Sequence, residues 1–332
     1  MEEPTTNDKL SFERNNSELV WVAQKVSELR AEIAKHVIGQ EHIVELILAG
    51  IFANGHILLE GVPGVAKTLS AKLIARLMKV DFSRIQFTPD LMPSDVIGTS
   101  VFNMKEGRFI FNKGPVFSNV VLIDEINRAP AKTQAALFEV MEERQITFDG
   151  TQYPMEFPFL VLATQNPIEQ EGTYSLPEAQ LDRFIFKITM DYPSLEEEAS
   201  ILTRYKESNG PVDVSTISPL FSAEDIQRVH HLMRAMVVEQ SLINYIAAIT
   251  HRTRSHAKLY LGASPRASLS MLRAGKALAA LRGRDFITPE DIQYIANPVL
   301  THRIILTPEA EIEGITTDEI IRQILTEIEI PR

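Results

Sequence analysis

The sequence predicts an α/β fold, a parallel sheet covered by helices and followed by a smaller all-α domain. Three observations carry that expectation. Short, near-continuous apolar runs alternate with segments of helical periodicity: "HILLE" (56–60), "RIQFT" (84–88), "VVLID" (120–124), "FLVLATQ" (159–165) and "FIFKITM" (184–190). Such runs suit strands buried on both faces. A glycine-rich turn, "GVPGVAKT", joins the first run to the helical segment "TLSAKLIARLMK". Beyond Pro193 the strand pattern stops and helix-start signals recur.

Taken in order, residues 1–17 are polar and acidic and read as a disordered tail. From Glu18 the apolar residues Leu19, Val22, Val26, Leu29 and Ile33 recur at helical spacing, and "QEHIVELILAGIFAN" forms a second helical run. Two hairpins interrupt the strand–helix alternation. "TSVFNMKEGRFIFN" has β-rich arms around "KEG", and "QITFDGTQYPM" carries Asp149-Gly150, a strong two-residue hairpin signal. Ser194 to Glu197 and Thr316 to Glu319 fit the capping box, and Thr288-Pro289 puts proline in a first helical turn. The expected organisation is a tail (1–17), an α/β domain (18–192) and a helical domain (193–332).

Composition narrows the chemistry. The 332 residues contain no cysteine, which excludes disulfides, zinc–thiolate sites and cysteine nucleophiles. No HExxH and no GxSxG occurs, so zincin and nucleophile-elbow hydrolases are excluded too. The net charge of −11 disfavours tight non-specific binding to nucleic acid, which relies on many cationic contacts to phosphates. The N-terminus shows no apolar leader, and no run approaches the roughly 18 apolar residues of a membrane span. A cytoplasmic chain is the resulting expectation.

The turn at 61–68 nearly matches the phosphate-loop pattern G-x-x-x-x-G-K-[ST], with Ala66 where the second glycine is usual. In such a loop, backbone N–H groups and a helix N-terminus converge on phosphate oxygens. Lys67 reaches the β- and γ-phosphates of a nucleoside triphosphate, and Thr68 ligates Mg²⁺. Ala66 fits without cost at negative φ; at positive φ it costs roughly 1–2 kcal/mol. "NVVLIDEINRA" ends a buried strand in Asp124-Glu125, at the sheet edge where open α/β folds bind ligands. Asp124 would hold the Mg²⁺ shell, and Glu125 would take the proton of an attacking water. "LVLATQNP" adds Thr164, Gln165 and Asn166 at the same edge, with Asn166 able to orient that water. Arg266 follows Ser264-Pro265 in a first helical turn, where the helix dipole disfavours a cation. A nearby anion, such as a γ-phosphate, would make that placement sensible.

These elements resemble the MoxR branch of the AAA+ ATPases. The stretches that carry the likeness are "GVPGVAKT", "QFTPDLMPSDVIG", "GPVFSNVVLIDEINRAPAKTQAALFEVMEERQIT", "LATQNP", "LPEAQLDRF" and "ASPRA", spread over roughly residues 36–300. Alanine before the loop lysine is usual in that family. The resemblance implies a nucleotide cradle of Gly61, Val62, Pro63, Gly64, Val65, Ala66, Lys67, Thr68 and Leu69, with ATP and Mg²⁺ as cofactors. It implies Walker B roles for Asp124 and Glu125 and a sensor 1 role for Asn166. Arg183 corresponds to the arginine finger that completes a neighbouring subunit's site, with Arg128 as the rival. Arg266 corresponds to sensor 2, and Val37, Ile38 and Gly39 of "HVIGQ" to adenine contacts. The hairpins correspond to the helix-2 and pre-sensor-1 inserts, with Phe109 and Phe111 either touching a client or packing within the hairpin.

The implied protein is a homo-oligomeric ATPase, a hexameric ring that remodels or matures a protein client. A von Willebrand factor A-domain partner and metal-cofactor insertion belong to the same implication. A helicase-like nucleic-acid motor and an ATP-gated scaffold with little turnover are the alternatives.

Overall fold

A computed structural model describes residues 6–62, 65–166, 174–207 and 212–331. The chain opens with α1 (Thr6–Ala34), α2 (Glu41–Phe52), β1 (His56–Gly61), α3 (Lys67–Leu77) and β2 (Phe82–Gln86). It continues through α4 (Pro93–Ile97), β3 (Gly98–Asn103), β4 (Arg108–Lys113), β5 (Val120–Asp124) and α5 (Ala131–Glu143). Then come β6 (Gln145–Phe148), β7 (Thr151–Pro154), β8 (Leu160–Gln165), α6 (Glu178–Leu181) and β9 (Phe184–Met190). The remainder is α7 (Leu195–Glu207), α8 (Ala223–Ala235), α9 (Gln240–Arg254), β10 (Leu259–Leu261) and α10 (Pro265–Leu281). It ends in α11 (Pro289–Leu300), β11 (Ile305–Leu306), α12 (Pro308–Ile312) and α13 (Thr317–Glu327).

The five apolar runs pair as one sheet in the order β2-β5-β8-β1-β9, every neighbour parallel. The second run starts two residues earlier than its composition suggests, because pairing begins at Phe82 opposite Val120. Side chains of alternate strand positions feed two cores. One face packs Val121, Ile123, Val161 and Phe184 against Leu137, Phe138 and Met141 of α5. The other face packs Ile57, Leu59, Leu122 and Phe186 against α2 and α3, and this core runs on without a break into α8–α11 and α13. Helices of the C-terminal part therefore close over the same apolar mass as α1 and α2.

Local signals act where the sequence places them. Asp149 (φ +48°) and Gly150 (φ +74°) both take left-handed conformations between β6 and β7, as a type I′ turn requires. Ser194 and Glu197, Thr288 and Asp291, and Thr316 and Glu319 each exchange side-chain and backbone hydrogen bonds at a helix start. The tail expected over 1–17 is a correction: α1 is continuous from Thr6, and only residues 1–5 of that segment lie outside the description. Once the Leu19–Ile33 stripe nucleates the helix, each further residue adds a hydrogen bond without a new nucleus, so polar residues extend it.

His56 ties the lower edge of the sheet. Its Nδ1 accepts from the Val161 N–H at 3.0 Å and its Nε2–H donates to the Met141 carbonyl at 3.1 Å, which fixes a neutral tautomer. Burial first, then the nearby Arg144 guanidinium, lowers its pKa from 6.5 to about 3. Below its ordinary pKa the unfolded chain binds a proton that the folded one refuses. The neutral contact is fully stabilising above pH 6.5, and that stability is lost as pH falls toward 3. Between neutrality and about pH 4.5 this residue alone should remove roughly 2–3 kcal/mol. Urea unfolding across that range should show a shallower acid decline for His56→Gln than for the wild type; equal declines would remove His56 from the acid response.

Candidate active site

Parallel strands bring their C-terminal ends to one edge, and there a cavity of about 400 Å³ opens. It is lined by Gly61 of β1, Ala66, Lys67, Thr68 and Leu69 at the start of α3, and Arg84 and Gln86 of β2. Asp124, Glu125, Thr164 and Asn166 complete it from the ends of β5 and β8. Gly61 is required by close approach: a Cβ there would lie 2.4 Å from the Met190 carbonyl oxygen of β9. Pro63 and Gly64 lie outside the described residues. Val65 is buried, and Val62, Ala66 and Leu69 are partly buried against the core, which anchors the loop while Ala66 and Leu69 also line the cavity.

Lys67 donates from Nζ to the Gly61 carbonyl at 2.5 Å, folding across the mouth of the loop. Its pKa is lowered chiefly by burial, while Asp124, Glu125 and Glu60 pull the other way. Asp124 is buried at the strand end, accepting from Arg84 Nε at 2.6 Å and from Thr164 Oγ1 at 3.3 Å. The same Thr164 oxygen accepts the Glu125 N–H at 3.0 Å. Glu125 is held in the left-handed region at φ +56° and pairs with Arg128 Nε at 3.0 Å. Ala66 is also left-handed, at φ +58°. Both strained residues lie in the cavity wall, the usual location of stored backbone strain. Hard oxygen donors from Thr68 and Asp124 share this cavity, a set that suits a cation such as Mg²⁺ completed by phosphate and water.

Both arginines expected at the site, Arg183 and Arg266, are elsewhere. Arg183 immediately precedes β9, at the N-terminal edge of the sheet, while the cavity lies at the C-terminal edge. Seven residues of strand separate those edges, a span of about 20 Å. Arg183 Nε contacts Glu142 Oε2 at 3.1 Å, and Arg266 Nη2 contacts Glu142 Oε1 at 2.7 Å. In this chain the anion beside the cation at the start of α10 is Glu142. Arg128, in contrast, stays at the cavity with Glu125.

Val37 is buried and lines a narrow cleft with Ile33, Gln40 and Val44 beside α2. Ile38 is half-buried, and Gly39 (φ +72°) lies so close to Glu197 of α7 that a Cβ would meet its carboxylate at 2.2 Å. Of the two hairpin aromatics, Phe109 is exposed beside Phe102, whereas Phe111 is half-buried between Phe148 and Tyr153 of the other hairpin and Phe117. Of the two roles open to it, Phe111 shows the packing one. Sequence reasoning missed Arg84, Gln86 and Glu142. The first two share one face of β2 at its C-terminal end, a hint visible only once β2 is known to neighbour β5. Glu142 carried no local signal.

Residues 56–186 match the profile of the ATPase family associated with various cellular activities (AAA), and residues 251–324 match the AAA lid domain. YeaC of Bacillus subtilis is 45% identical over 299 residues, covering 90% of this chain and 92% of its own. Chaperone MoxR1 of Mycobacterium tuberculosis is 44% identical over 310 residues, covering 91% of this chain and 81% of its own. A solved structure of a candidate ATPase from Cytophaga hutchinsonii superposes with a TM-score of 0.89 at 44% identity, over 97% of this chain and 100% of the other. Among the described residues no helix is long and apolar enough to cross a membrane. A five-stranded parallel sheet with a loop-and-strand-end cavity, a helical lid and these relatives together make the chain a member of the MoxR family of AAA+ ATPases.

Proposed function

We propose that the chain hydrolyses ATP only as an assembled ring, each copy lending Arg183 and Arg266 to the cavity of a neighbour. The observation that carries this reading is their shared seat on Glu142, at the sheet edge opposite the chain's own cavity. Neither side chain can span the sheet, so only another copy can bring such a pair to a γ-phosphate. Arg128 is the weaker finger candidate because it already neutralises Glu125 within its own site.

Within the cavity, Lys67 binds the β- and γ-phosphates, and the start of α3 offers its backbone N–H groups and positive dipole end. Thr68 and Asp124 would hold Mg²⁺, which when bound supplies charge neutralisation between the phosphates. Glu125 takes the proton from the attacking water, and Asn166 orients it. The Thr164 hydroxyl keeps both acids in register by bonding the Glu125 N–H and the Asp124 carboxylate. The γ-phosphoryl charge is met by Lys67 and by the incoming arginine pair.

ATP turnover drives chaperone-like remodelling of a protein client in this reading, in a ring of six copies. Support comes from the chaperone among the relatives and from the exposed apolar tip formed by Val101, Phe102, Met104 and Phe109. A von Willebrand factor A-domain partner and metal-cofactor insertion extend the same proposal by family likeness.

Turnover per protomer should rise with protein concentration and be lost in Glu125→Gln at every concentration. Arg183→Ala should cost about 10³-fold or more in turnover while leaving ATP binding intact. A rate independent of concentration, or an active Arg183→Ala, would sink the ring reading. A second test concerns the strained loop. Glycine takes φ +58° freely, so Ala66→Gly should raise stability by roughly 0.5–1 kcal/mol after its extra unfolded-state entropy. Thermal unfolding without nucleotide measures this, and a lowered melting temperature would show the loop to be unstrained.

A further inference from the structure

The segments carrying Arg183 and Arg266 come from different parts of the chain, yet one buried side chain joins them. Arg303 follows α11 and is almost wholly enclosed, with 2% of its side chain exposed. Its Nε donates to Asp182 Oδ1 at 2.6 Å, and its Nη2 donates to the carbonyls of Phe184 at 2.6 Å and Asp182 at 3.1 Å. Its Nη1 reaches the Ile185 carbonyl at 3.3 Å, and Nη2 also reaches Ser270 Oγ of α10 at 3.3 Å. The second carboxylate oxygen of Asp182 accepts from Ser264 Oγ at 3.0 Å, and Ser264 in turn caps the Arg266 N–H. One guanidinium thus fixes the backbone on both sides of Arg183. Through Asp182 it also fixes the residue that starts the Arg266 helix.

We propose that Arg303 is a positioning residue for ATP hydrolysis, clamping Asp182 and Ser264 so that Arg183 and Arg266 present as one preset pair. It touches no nucleotide itself. The inference rests on the reading of these two arginines as groups offered to a neighbouring copy. A rigid planar fork with five donors can serve this many acceptors at once, which a lysine cannot. Among the described residues its ion-pair partner is Asp182, which is adjacent to Arg183 and bonded to the Arg266 cap. Burial of the pair also makes the clamp costly to break, because either charge left alone is strongly unfavourable.

The test compares Arg303→Lys, Asp182→Asn, Arg183→Ala and Glu125→Gln in the full chain, each first checked for folding by thermal melt and for assembly by sedimentation. Asp182→Asn keeps the shape and one acceptor oxygen, so it decides the matter where Arg303→Lys fails to fold. Both clamp variants should lower kcat at least about tenfold, in line with the cost of ångström-scale misplacement, with KM for ATP within about twofold. Mixing either clamp variant with Glu125→Gln should restore turnover, because the clamp variant supplies a sound cavity and Glu125→Gln supplies sound arginines. If clamp variants keep wild-type kcat while Arg183→Ala is inactive, the clamp has no positioning role, although the ring reading stands. A fall in kcat with raised KM and no recovery on mixing makes Arg303 merely structural and overturns the proposal. An active Arg183→Ala removes the ring reading and the proposal with it.

Discussion

Five strands running in one direction give the molecule two unlike edges, and most of its chemistry follows from that polarity. Every strand end that carries a functional group, Gly61, Gln86, Asp124 and Gln165, arrives at one side. Every strand start arrives at the other, where Arg183, Glu142 and the neutral His56 gather. No side chain bridges a distance of about 20 Å. A group placed before β9 therefore serves a different purpose from one placed after β5, whatever its chemistry.

Electrostatic arrangement reinforces this division. At the cavity edge, acids and bases are interleaved: Arg84 holds Asp124, Arg128 holds Glu125, and Lys67 folds onto Gly61. Two residues there, Ala66 and Glu125, also occupy left-handed backbone, so the wall is built from conformations that only their surroundings sustain. At the opposite edge a single carboxylate holds two guanidinium groups. The apolar core that runs from α1 and α2 into the C-terminal helices makes these edges parts of one body.

Much of this was legible in the sequence because the relevant forces act locally or along one strand. Two-sided burial leaves unbroken apolar runs, so the five sheet strands could be read to within two residues. Asp149-Gly150 and the Ser/Thr capping boxes report backbone requirements of their own few residues. Gly61, Lys67, Thr68 and the acids at 124 and 125 could be placed at one sheet edge for the same reason, since a loop and a strand end carry their order in the sequence. What escaped depends on neighbours. Arg84 meets Asp124 only through the register that sets Phe82 beside Val120. Glu142 meets Arg183 and Arg266 only because α5 ends where β9 and α10 begin. The sign of φ at Ala66 has no signal in the loop's own residue types, and a polar α1 start gives no hint of how far an established helix will run.

Phe111 has a mechanical consequence. Its ring lies 5.0 Å from Phe148 and 4.7 Å from Tyr153, so it rivets one two-stranded ribbon to another. Each ribbon alone is a slender beam, free to bend and twist about its root. Joined at a ring stack, the two resist bending together, and the exposed tip at Phe102 and Phe109 becomes the end of a braced cantilever. Force applied at that tip is delivered to the roots at α4 and α5 as a push on both.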